Sequence, residues 1–61
     1  MPGYSAKYFR IYLQMSPREV ARLARVPLKS VELLERGEPL RLDEKQKIMA
    51  ALYVRKAKNF A

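Results

Sequence analysis

Apolar positions in this chain recur three and four residues apart, the spacing of amphipathic helices, and no segment alternates as a half-buried strand would. Ala6, Phe9, Arg10 and Leu13 share one face of a first predicted helix, capped by Ser5 and running to about Gln14. Tyr4, Tyr8 and Tyr12 form a neighbouring stripe at four-residue spacing. The strongest start signal follows. Ser16 and Glu19 have the spacing of a capping box, and Pro17 suits the first helical position, where its missing N–H costs nothing. Val20, Leu23 and Ala24 supply the apolar face of this second helix. It must end by Val26, because the residue before a proline is pushed out of helical conformation.

Pro27 restarts the chain. Leu28 to about Arg36 form a third helix with Val31 and Leu34 turned inward, and Gly37 suits the positive-φ position that ends it. Glu38-Pro39-Leu40-Arg41 reads as a loop. Asp43 and Glu44 suit the positive end of a fourth helix, whose buried face is Ile48, Ala51 and Leu52. Nothing stops that helix before Asn59. The pattern predicts an all-α fold, with residues 1–61 forming one domain.

Composition narrows the chemistry. The chain has 61 residues, no Cys and no His, so disulfides and most zinc and iron sites are excluded, and no metal or cofactor is expected. With 49% hydrophobic residues it has enough apolar side chains for a core. No carboxylates pair in a recognisable catalytic setting, so an enzyme is not expected. The longest apolar run, Ile48 to Val54, is far too short to span a bilayer, and no basic start precedes a long apolar stretch as in a signal peptide. The cytoplasm, on the nucleoid, is the expected compartment.

The net charge is +7 and unevenly spread. Residues 1–30 carry six bases and one acid, whereas residues 31–54 are nearly balanced. Arg55, Lys56 and Lys58 make residues 55–61 a basic C-terminal tail. Such a surface attracts polyanions, nucleic acid above all.

Two short helices joined by three residues, within Ser16–Gly37, suggest a helix-turn-helix. From Arg10 to Val54 the sequence resembles the Cro/C1-type (XRE) helix-turn-helix regulators of phage and bacteria. Ala21 matches the small residue where the two helices cross. Val31 and Leu34 match the inward positions of the recognition helix, Glu35-Arg36-Gly37 its ending, and Ile48-Met49-Ala50-Ala51-Leu52 the fourth helix. Arg10 matches a first-helix arginine that in the family pairs with the glutamate matching Glu35. Three positions depart from the pattern. Arg25 stands where glycine is usual in the turn, Pro17 stands where a phosphate-binding glutamine often opens the second helix, and only seven residues follow Val54, where a fifth helix normally lies. The resemblance implies a small lambda repressor-like four-helix domain, truncated at the fifth helix, that acts as a transcriptional regulator on double-stranded DNA.

A helix-turn-helix reads DNA with the N-terminal half of its second helix in the major groove. The outward positions there are Leu28, Lys29, Glu32 and Leu33. Lys29 suits guanine O6 and N7, Glu32 suits cytosine N4, and either leucine suits a thymine methyl. Arg18, Arg25, Ser30, Arg36 and Arg41 are the phosphate candidates, Arg18 together with the free N–H groups that begin the second helix. Glu32 also has the spacing to pair with Arg36. A homodimer is expected, through the tyrosines of the first helix or the C-terminus, unless Phe60 folds back and covers them.

Two other readings stand beside this one. Leu28, Leu33 and the tyrosines also suit a protein-interaction module that reuses the fold, as an antitoxin or antiactivator would. Ser16 to Ala21, with Arg25-Val26 and Gly37-Glu38, also resembles excisionase and MerR-like winged helices, which need a β-hairpin after the glycine.

Overall fold

The computed structural model describes residues 3–60, with side chains from Ser5 onward; Tyr4, the first member of the predicted stripe, lies outside the described side chains. Four helices follow one another: α1 (Gly3–Tyr12), α2 (Pro17–Ala24), α3 (Leu28–Arg36) and α4 (Leu42–Phe60). No strand occurs among the described residues. None of their helices is long and apolar enough to cross a membrane. The longest helix is α4, with 19 residues; at about 1.5 Å per residue it is nearly as long as the molecule's greatest extent, 33 Å.

The first three helices end in the same way. After each, one residue turns left-handed, its N–H bonds three residues back, and the next N–H bonds five residues back. The left-handed residues are Gln14 (φ 58°), Arg25 (φ 60°) and Gly37 (φ 75°). The five-back bonds are Met15 N–H to Arg10 C=O at 3.1 Å, Val26 N–H to Ala21 C=O at 3.1 Å and Glu38 N–H to Leu33 C=O at 3.0 Å. This is the Schellman arrangement, which gives orphan carbonyls at a helix end their donors. Arg25 and Gly37 match expectation. Gln14 does not: α1 was expected to include it, but the chain turns left-handed there and sends Met15 into the core, 3% exposed. The start of α1 differs too. Ser5 sits inside the helix, two residues past its beginning, rather than capping it.

The core gathers one face from every helix. Val20, Val31, Ile48 and Leu52 are its largest fully buried side chains, each contributing about 1.5–3 kcal/mol on burial. Ala6 and Leu13 of the first helical segment, Ala21 and Ala24 of α2, Leu34 of α3 and Ala51 of α4 complete it, with Phe9 half-buried at its edge. Leu23, expected inside, is instead 40% exposed. It points towards α4 across a groove described below.

The C-terminal turns of α4 lie against α1. The Phe9 and Tyr53 rings meet edge to face with centroids 5.2 Å apart, and Tyr12 stacks on Phe60 at 5.8 Å. Phe60 thus folds over the tyrosine stripe, yet Tyr12 and Phe60 both stay more than half exposed. Arg55, Lys56 and Lys58, the basic C-terminal tail, lie in the last turns of α4, which nothing in the sequence stops before Asn59.

Candidate nucleic-acid interface

The segment that presents α3 is built by its caps. Ser16 is extended (φ −81°, ψ 159°); its Oγ accepts from the Glu19 N–H at 3.1 Å, and its own N–H donates to Glu19 Oε1 at 2.9 Å. The N–H of Ser16, donating to the carboxylate, is the main reason the Glu19 carboxyl lies below its ordinary value. The box also limits what α2 offers an anion. Pro17 has no N–H and that of Glu19 is already used, so Arg18 holds the first-turn N–H outside the box. Its side chain is exposed beside it.

The turn then passes through Arg25 in left-handed conformation (φ 60°, ψ 45°) to Pro27 (φ −62°, ψ 148°), which begins α3 without a side-chain cap. A non-glycine residue in that conformation costs on the order of 1 kcal/mol. The return is a fixed angle between α2 and α3, which pack on one another.

Residues of α3 divide cleanly by face. Ser30, Val31 and Leu34 are buried. Successive residues of a helix step by about 100°, which places Lys29, Glu32, Leu33 and Arg36 together on the opposite side. Lys29, Glu32 and Arg36 are exposed, and Leu33 is half-buried. Leu28 lies at the edge of this face and packs partly against the core, so it offers less surface than expected.

A partly buried ion pair holds α3 from the side. Arg10 Nε donates to Glu35 Oε2 at 2.7 Å and Arg10 Nη2 to Glu35 Oε1 at 3.1 Å, a two-pronged contact between side chains only 12% and 14% exposed. Arg10 Nη1 also donates to the Met15 carbonyl at 3.0 Å. One guanidinium therefore ties together α1, the α1–α2 turn and α3. Parallel N–H···O bonds of this kind fix orientation as well as distance.

Other candidate contacts fall in different places. Ser30, one of the phosphate candidates, is 5% exposed, and its Oγ donates to Glu44 Oε2 at 3.1 Å, joining α3 to α4. Arg36 pairs with Glu38 at 3.5 Å rather than with Glu32. Arg41 pairs with Asp43 at 3.2 Å. Both pairs are solvated, and exposed pairs contribute only about 0–1 kcal/mol, so either arginine exchanges its carboxylate for a phosphate at little cost. Arg25 lines the groove between α2 and α4.

No protein-family model, no curated protein and no solved structure matches the chain.

Function is therefore read from the face itself. An exposed lysine and arginine, one carboxylate and one apolar side chain stand on a short rigid helix, with Arg18 and Arg41 on the segments before and after it. The groove between α2 and α4 was not visible in the sequence. Its signal was the set of small residues Ala24, Ala50 and Ala51 between the exposed Leu23 and Val54.

Proposed function

We propose that this chain is a sequence-specific DNA-binding regulator of the helix-turn-helix type, with the lambda repressor-like arrangement its sequence resembles. In this reading α3 enters the major groove. The observation that carries the proposal is the outer face of α3, with Lys29, Glu32, Leu33 and Arg36 aligned and exposed or half-exposed, on a helix pinned by the Arg10–Glu35 pair. A major groove about 12 Å wide admits one helix of this kind. Lys29 donates to guanine, Glu32 accepts from cytosine N4, and Leu33 with the edge of Leu28 meets a thymine methyl. Arg18, Arg36 and Arg41 take phosphates.

A nine-residue helix reaches few base pairs, so a second copy on an adjacent half-site supplies affinity. The aromatic edge at Ile11, Tyr12 and Phe60, each at least half exposed, is the surface we assign to that homodimer. Work on the nucleoid follows from the same reading. The winged-helix reading loses its main feature, since no strand follows Gly37 among the described residues. The protein-interaction reading loses part of its apolar face, because Leu28 packs on the core.

The test is an amide-resolved NMR titration with duplex DNA at several salt concentrations. Shifts should be largest along the outer face of α3 and at Arg18 and Arg41, with weaker ones at Ile11, Tyr12 and Phe60 if two copies bind. Affinity should fall with salt at a log–log slope of about −0.9 for each phosphate neutralised. Shifts that spare the outer face of α3, or binding indifferent to salt, would remove the proposal.

A further inference from the structure

The groove between α2 and α4 belongs to neither the α3 face nor the aromatic edge. Leu23, Ala24 and Arg25 form one wall, and Lys47, Ala50, Ala51 and Val54 form the other, around a space of about 560 Å³. The α4 residues lie at i, i+3, i+4 and i+7, two turns of one helix face, or about 10 Å. The floor is hollow because three alanines stand where larger apolar side chains would fill the gap. Leu23 and Val54 are left 40% and 50% exposed on either side.

The rim is charged and mostly cationic. Arg25 and Lys47 flank the hollow. An adjoining groove of about 340 Å³ adds Arg22 and Arg55, with Glu19 its one acid. That carboxylate is already engaged by the Ser16 N–H. The hollow is thus apolar at its floor and cationic at its edge.

We infer that this groove docks an acidic amphipathic helix of a partner protein. An amphipathic helix seated in a groove anchors through apolar side chains at i, i+3 or i+4 and i+7, which matches the two-turn length. Flanking Glu or Asp side chains meet Arg22, Arg25, Lys47 and Arg55. None of the four helices described carries a net negative charge, so a second copy of this chain has no acidic helix to offer this rim. DNA matches the cations but gains nothing from an alanine floor. The inference is independent of what α3 reads.

The probe is a synthetic helix-forming peptide with leucines at i, i+3 and i+7 and glutamates on its other face. A peptide of the same composition, scrambled so that the leucines no longer share a face, is the control. Amide shifts should appear at Leu23, Ala24, Lys47, Ala50 and Val54, and the scrambled peptide should bind at least about tenfold more weakly. Ala50→Leu fills the hollow from an exposed helical position, where leucine keeps the helix, and should abolish the shifts while leaving the circular dichroism spectrum intact. Lys47→Glu should weaken binding by about tenfold. The inference is overturned by no binding, equal binding by the scrambled peptide, binding unchanged in Ala50→Leu, or peptide shifts confined to Tyr12 and Phe60. Displacement of the peptide by duplex DNA, with the same amides shifted, would assign the groove to nucleic acid instead.

Discussion

Replacing Glu35 by leucine would leave the Arg10 guanidinium with a single acceptor, the Met15 carbonyl at 3.0 Å. Breaking a fully buried pair costs about 3–5 kcal/mol, because the surviving charge keeps its desolvation without its partner. Here the two side chains retain 12% and 14% of their exposure, and Arg10 retains one bond. The expected loss is therefore lower, about 2–3 kcal/mol. A chain of this size has only about 3–9 kcal/mol in total. The melting temperature should fall by roughly 10–20 °C, at about 4–8 °C per kcal/mol for such a small domain. Arg10→Met alone strands the carboxylate and should cost a similar amount. The two changes together should recover much of the loss, since a well-packed apolar pair often replaces a buried ion pair without penalty. Thermal and urea unfolding of the four proteins gives the coupling energy directly, and about 1.5 kcal/mol or more is expected. Single losses below about 0.5 kcal/mol that simply add would show that the pair is solvated and does not hold α3.

Four further outcomes follow from the structure. Ser30→Ala removes a buried hydrogen bond to the Glu44 carboxylate and should cost about 1.5–3 kcal/mol in urea unfolding, with DNA affinity per folded molecule unchanged; a selective loss of DNA binding would contradict its buried role. The Glu19 carboxyl is lowered in the folded chain, so its contribution is fully present above the ordinary carboxylate range and is lost as pH falls through the lowered value. Glu19→Gln keeps the side-chain oxygen but not the charge, and its urea stability should fall less steeply in acid than that of the parent; equal slopes would sink this assignment. Arg25→Gly relaxes a left-handed residue and should stabilise by up to about 1 kcal/mol, offset in part by a freer unfolded chain; a clear loss in melting temperature would show that the arginine side chain matters more than its backbone. Lys29→Ala should cost about 1–3 kcal/mol of DNA affinity and relax the preference for guanine at one position, read by competition with single-base variants.

The helices were legible because their signals are local. Ser16 and Glu19 formed the capping box their spacing promised, Gly37 took positive φ, and Val31 and Leu34 fixed the phase of α3 so that its outer face could be named in advance. What escaped was set by tertiary contact. Nothing near Gln14 marks it as left-handed; the demand that Met15 reach the core does. Ser30 reads as a surface residue until α4 brings Glu44 to its hydroxyl. Leu23 and Leu28 sit at the borders of their helical faces, where a pattern assigns inside or outside almost arbitrarily and a neighbouring helix decides. The hollow between α2 and α4 depends on three alanines from two distant segments, and no single window of sequence contains it.

In the proposed function the outer face of α3 reads DNA sequence. Selection of duplexes from a random pool by the purified full chain tests it most directly, with Lys29→Ala selected in parallel. A short enriched motif containing guanine is expected, repeated as a palindrome if two copies bind, with the guanine preference lost in Lys29→Ala. A pool that returns no enriched motif, or the same motif from both proteins, would contradict it.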